Sequence, residues 1–291
     1  MLIRSKMVKL TIRSSDSSPS LDTWDRKTIE IAKSCLYEMN RVAEIKFTTI
    51  PGSKLKEIFR DLPKSAPQLH ALCISSLTAF SIHDDFLYDT ENLQHVELIN
   101  CKISWDSRFL TGLTRLTLQD SLKANSSIIQ VLQALQRMPA LTNLRLKDSI
   151  PNDAEGPYTY PVVDLPCLRV LSISSDVGAV TAILRNITFP RSATLNLTCK
   201  GNHSIQTDFS SFFFVLATKF LSTLVVRSLR VSYSPNTHNL KFYLWTTAPI
   251  QECFLTSQIS GSQLQLVLKW FKPQPRTYMK AVTCAFDAMD L

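Results

Sequence analysis

Five histidines, His70, His83, His95, His203 and His238, are the side chains of this chain best suited to move protons or hold a metal near neutral pH. None stands at a metal-ligand spacing from another His or from a Cys, and H-E-x-x-H is absent. G-x-S-x-G and the P-loop spacing are absent as well. The one compact acid–base cluster is His83-Asp84-Asp85. It has the groups to bind a cation, but a solvated turn is the favoured reading. Seven cysteines, Cys35, Cys73, Cys101, Cys167, Cys199, Cys253 and Cys284, are scattered, odd in number and free of C-x-x-C. That usage points to reduced thiols in an intracellular compartment, cytoplasmic or nuclear. The residues therefore predict no catalytic group, no metal and no cofactor, and a chain that is not an enzyme.

Composition narrows the classes further. Only 6 Gly occur in 291 residues, and glycine-dependent phosphate cradles need several at fixed offsets, so nucleotide folds are disfavoured. The net charge of +8 is a diffuse excess. It fits a solvated surface or attraction to acidic partners, the former being favoured. Aromatic residues do not interleave with basic ones as a nucleic-acid platform requires, so no nucleic-acid partner is expected. Residues 209–226, FSSFFFVLATKFLSTLVV, approach the length of a membrane span but contain Lys219 and several Ser and Thr. A buried helix running into a strand is the better reading, with no membrane association. No secretory leader pattern opens the chain, so the N-x-S/T sites at Asn125, Asn186, Asn196 and Asn202 are read as unused.

The elements that would position any site are repeats. Leu93, Val96, Leu98, Asn100, Cys101 and Ile103 fit L-x-x-L-x-L-x-x-N/C-x-L. The core pattern recurs at Leu69/Leu72/Ile74, Leu113/Leu116/Leu118, Leu141/Leu144/Leu146 and Leu168/Leu171/Ile173. Weaker units are Met7/Leu10/Ile12, Val42/Ile45/Phe47, Leu195/Leu197 and Val226/Leu229/Val231. Successive starts among the clear units lie within the range of roughly 20–29 residues typical of leucine-rich repeats. Each L-x-L forms a short strand whose two apolar side chains are buried only when neighbours stack. The expected fold is thus α/β: a leucine-rich-repeat solenoid with a curved parallel sheet on the concave side and helices on the convex side. One array over 1–291 is expected, clearest over 65–200, with divergent repeats over 1–64 and 201–291.

Return helices are predicted at 26–40, 54–62, 126–138, 178–185, 212–220, 263–271 and 278–289. In the third, Ile128, Val131, Leu132 and Leu135 share one face, Ser126 or Ser127 can cap it, and Pro139 marks its end. Residues 149–166, SIPNDAEGPYTYPVVDLP, read as a surface loop, either for recognition or as a connector, and residues 13–21 as another. The register assigns Cys101 to the core, where an inert thiol is favoured over a nucleophile, and Trp105 to core or convex packing.

The same register places the residues between the inward ones on the concave face. These are Glu44 and Lys46; Ala71 and Cys73; His95 and Glu97; Arg115 and Thr117; Asn143 and Arg145; Val170 and Ser172; Thr194 and Asn196; with Gln119 and Lys147 next along. The candidate partner-binding residues are His95, Glu97, Arg115, Thr117, Asn143, Arg145 and Lys147. Arg115, Arg145 and Lys147 form a basic strip suited to an acidic or phosphorylated peptide; ordinary strand-surface residues are the plain alternative.

The phrases NCKISWDSRFLTGLTRLTL (100–118), LQALQRMPALTNLRLKDSIP (132–151), DLPCLRVLSIS (164–174) and FPRSATLNLTCK (189–200) resemble the leucine-rich region of F-box-like proteins of mushroom-forming (basidiomycete) fungi. The resemblance covers most of the chain, best over about 65–200, and carries no catalytic signature. It implies a receptor whose repeats hold a protein target while an F-box docks on the adaptor of a cullin-type ubiquitin ligase. This chain departs from that pattern. DLPKSAPQLHAL (61–72) has a Leu-Pro pair but leads into a repeat strand, and no F-box precedes the repeats. A cullin-ligase adaptor is therefore an expected partner only if an F-box lies elsewhere, the chain then being a fragment of a longer protein. A ligase-independent interaction scaffold is the alternative, and an enzyme with an unrecognised site the least favoured.

Overall fold

A strand with alternating apolar residues exposes one greasy face, and parallel neighbours in matched register turn such strands into a continuous apolar sheet surface. The computed structural model of the chain follows this rule. It describes residues 9–14, 24–60, 62–63, 65–83, 86–121, 126–151, 160–190, 193–200, 210–216, 218, 226–234, 239–246, 252–260 and 263–271. Eight strands pair in parallel and in sequence order: β1 (Leu10–Arg13), β2 (Val42–Ile50), β3 (Ala71–Ser81), β4 (His95–Lys102), β5 (Arg115–Gln119), β6 (Asn143–Lys147), β8 (Val170–Asp176) and β10 (Thr194–Lys200). The protein is a mixed α/β structure built on this large parallel sheet.

The register aligns the inward residues in two rows. Ile45, Leu72, Val96, Leu116, Leu144, Leu171 and Leu195 form one; Phe47, Ile74, Leu98, Leu118, Leu146, Ile173 and Leu197 form the other. All fourteen are buried in one core. Each such side chain removed from water contributes roughly 1.5–3 kcal/mol.

Helices α1 (Arg26–Leu36), α2 (Gly52–Phe59), α3 (Ile128–Gln136) and α4 (Val177–Asn186) send their apolar faces into that core. Two of these helices start on side-chain caps that the sequence carries. Asp25 accepts the Thr28 amide at the start of α1. Ser127 and Gln130 form a reciprocal capping box on α3. Helix α1 ends at Leu36, short of the expected 40, and a 3-10 turn at Met39–Arg41 leads into β2. Helix α5 (Ser210–Leu216) buries Phe212 and Val215 and exposes Phe214. Of the segment 209–226, Ser210–Leu216 form this helix and Val226 opens strand β11 (Val226–Ser234), while 217 and 219–225 lie outside the described residues. No helix among the described residues is long and apolar enough to cross a membrane.

Two expectations are corrected. Residues 263–271 form strand β14 (Gln263–Phe271), not a helix. It pairs antiparallel with β10 and with β13 (Glu252–Ser260), which pairs with β12 (Asn239–Thr246), itself paired with β11. Beyond β10 the described strands thus form an antiparallel meander and do not continue the parallel order. The segment 149–166 is also less of a surface loop than expected. Ser149, Ile150 and Pro151 are buried, as are Val163 and Leu165. Strand β7 (Val163–Asp164) pairs in parallel with β9 (Ile187–Thr188). Apolar side chains at both ends of the segment tie it down, and 152–159 lie outside the described residues. Met7, Asp84, Asp85 and residues 15–21 and 278–289 also lie outside them.

A recurring backbone feature marks the exit from the sheet. Thr49, Asn100, Asp120 and Asp148 have φ of 54°, 56°, 51° and 49°. Each stands two residues after an inward residue of the second row. Asn and Asp tolerate this left-handed conformation, whereas a β-branched side chain is strained there. Asn100 also donates to the Ser76 carbonyl at 3.0 Å. The residue that follows each turn, Ile50, Cys101, Ser121 or Ser149, is buried. From Ser76, Cys101 and Ser121, a hydroxyl or thiol reaches back to the preceding strand, to the carbonyls of Ile50, Ile74 and Leu98. Thr49 is exposed, so its strain has little packing to offset it. Thr49→Asn is expected to stabilise the fold by about 1 kcal/mol in chemical denaturation. An unchanged midpoint would contradict the strain assigned to Thr49.

Candidate functional site

The face of the sheet opposite the core is built by the alternate residues, and the register orders them into rows that cross the strands. The first row runs Glu44, Ala71, His95, Arg115, Asn143, Val170, Thr194. The second runs Lys46, Cys73, Glu97, Thr117, Arg145, Ser172, Asn196. The third includes Ser75, Ile99, Gln119, Lys147 and Ser174. Every residue nominated for this face lies on it. Ala71 and Cys73 are buried there, small side chains between the longer ones of β2 and β4; the others are half-buried or exposed.

Arg115, Arg145 and Lys147 are exposed on the adjacent strands β5 and β6. Arg115 sits opposite Asn143, Arg145 opposite Thr117, and Lys147 opposite Gln119. Directly paired cross-strand positions are thus cation beside neutral polar, which spaces the three charges and spares the sheet their repulsion. None of the three forms an ion pair with another described residue.

Beside this strip, on β3 and β4, the sheet gathers Cys73, His95 and Glu97. One ligand atom from each lies within 4.8 Å of the others, and His95 Nε2 is 3.9 Å from a Glu97 carboxylate oxygen. Burial pushes the His95 imidazole below its ordinary pKa, against the pull of Glu97 and with the push of Arg115. Burial pushes the Cys73 thiol up to about 11, with Glu97 and Glu44 adding to the rise. No histidine stands at a metal-like sequence interval from another His or a Cys, yet the fold brings Cys73 and Glu97 to His95. The sequence intervals hide the grouping, because parallel register alone sets Cys73 opposite Glu97. Cys101, by contrast, is fully buried, and burial raises its thiol to about 12, which suits the inert core role expected of it.

At the other side of the cluster, Arg13 donates twice to the Glu44 carboxylate, at 3.2 and 2.8 Å. This holds Glu44 below the usual carboxylate range. A depressed pKa contributes stability above the unfolded carboxyl range, and that stability is lost as pH falls through the folded value. Glu44→Gln is therefore expected to lower the melting temperature at pH 7, and the two proteins should converge only as pH falls through the lowered folded value of Glu44. A difference that persists unchanged at low pH would count against the ion pair.

A separate cleft of about 540 Å³ lies between α2 and the end of β3, with Phe59, Phe80, Phe86, Lys56, Arg60 and His83 in its wall. Ser53 and Ser81 also line it, but no hydrogen bond among the described residues joins His83 to either serine. No protein-family model matches the chain, and neither does any curated protein.

Proposed function

We propose that the parallel part of the chain, up to β10, is a leucine-rich-repeat solenoid whose open, concave sheet face binds another protein. Support comes from the recurrence of one unit: two inward apolar residues, polar residues between them, and a left-handed turn two residues on. The observation that carries the binding role is the exposed strip of Arg115, Arg145 and Lys147 on neighbouring strands. Guanidinium groups pair bidentately with carboxylates and phosphates, so an acidic or phosphorylated segment is the fitting target. The rigid strands hold the cations before the partner arrives, which lowers the ordering cost of binding.

Within this reading, the chain serves as the substrate-recognition part of an F-box-type ubiquitin ligase receptor. That role rests on the resemblance over 65–200 and on no feature of the sheet, since a repeat fold does not fix a function. The competing role is a scaffold that works without a ligase. In both roles the protein is a binding module and not an enzyme. Arrays of acidic, phosphorylated and neutral peptides, probed with the full chain, test the shared claim. Retention of acidic or phosphorylated peptides over neutral ones of equal length supports it; equal retention of all three defeats it. Binding of a purified cullin adaptor to the full chain separates the two roles.

A further inference from the structure

The donors gathered by β3 and β4 differ in kind from the basic strip. They are a thiol, an imidazole and a carboxylate, the set that a borderline-soft divalent cation takes in proteins. Cys73 and Glu97 are directly paired across two parallel strands. His95 lies two residues before Glu97, hence on the same face of β4. The donor atoms are within 4.8 Å of one another. Tetrahedral zinc, with bonds of about 2.0–2.3 Å, needs its ligands roughly 3.3–3.8 Å apart. The donor atoms thus lie at most about 1 Å beyond that spacing, within reach of side-chain adjustment.

We propose that Cys73, His95 and Glu97 form a binding site for zinc(II) or a similar divalent cation, with a fourth coordination position open toward solvent. Charge supports the assignment. The thiol proton leaves to water on binding, and thiolate and carboxylate together balance a +2 ion. The resulting neutral centre suits a sheet surface flanked by Lys46 on β2 and Arg115 on β5. Three protein ligands and one open position describe a site that keeps a water or accepts a ligand from a partner. The proposal does not depend on the protein-binding reading, because metal uptake is measured with no partner present.

Cobalt(II) tests it, since it adopts the same tetrahedral donor sets and reports them by absorption. Full-length reduced protein titrated with cobalt should form a one-to-one complex with a sulfur-to-cobalt band in the near ultraviolet and strong tetrahedral bands in the visible. Zinc should bleach both. Cys73→Ser should remove the sulfur band. Glu97→Gln and His95→Asn, at half-exposed positions that leave the core untouched, should each weaken zinc binding by more than about 10-fold. Cys167→Ser, which removes an exposed thiol, should change nothing. The assignment is overturned if no one-to-one complex forms, if the sulfur band survives in C73S or depends on Cys167, or if E97Q and H95N bind zinc as tightly as the parent. The last two variants decide the matter even if C73S fails to fold.

Discussion

Replacing Arg115, Arg145 and Lys147 together with Glu is expected to abolish retention of acidic and phosphorylated peptides while leaving the melting temperature nearly unchanged. The two halves of this outcome have different causes. All three side chains are exposed and take no described ion-pair partner, so the fold does not rely on them, and surface changes of this kind usually fall within about 0.5 kcal/mol each. Binding does rely on them. A hydrogen bond to a charged group is worth about 1.5–3 kcal/mol. Losing even two such contacts exceeds a factor of roughly 100 in affinity. Reversal also adds repulsion, so Gln in place of Arg115, Arg145 and Lys147 should give an intermediate loss. The salt dependence of the parent should be steep and that of the variant flat, because the contacts are solvent-exposed and screened. Undiminished peptide retention by the triple variant would falsify the strip as the binding surface.

Leu118→Ala is the substitution with the largest expected effect on stability. Leu118 is buried at the centre of the parallel sheet, between Leu98 of β4 and Leu146 of β6. Truncation leaves a cavity that neighbours on three sides cannot fill, at a cost of about 2–5 kcal/mol. Chemical denaturation of the two proteins measures it. Thr117→Ala supplies the internal comparison, since Thr117 lies one residue away on the opposite face and is half-buried. Its loss should cost less than about 1 kcal/mol. Side-chain direction alternates along a strand, so a register error of one residue would exchange the two results. Near-equal effects from the two substitutions would therefore refute the placement of β5.

The sequence by itself determined every feature that depends on local period. Leu116/Leu118 and Leu144/Leu146 alternate with polar residues, and each alternation decides which side chains meet the core. The 3.6-residue spacing of Ile128, Val131, Leu132 and Leu135 determined α3, and of the two serines before it the structure selects Ser127 as the cap. The nominated face residues follow from the same alternation, which is why all of them lie where the spacing places them.

What depends on pairing across the chain was decided only in three dimensions. Residues 263–271 carry Leu264, Val267, Leu268 and Phe271 at helical spacing and also Leu264, Leu266, Leu268 and Trp270 at strand spacing. Two antiparallel neighbours select the strand. The burial of Val163 against the edge formed by Ile187 was equally invisible, because a two-residue strand has no period to read. The grouping of Cys73 with His95 and Glu97 is the sharpest case. Each residue's face was legible from its own strand, but their proximity was not. It arises because hydrogen bonds between β3 and β4 set one register out of several, and a register is a property of two strands together.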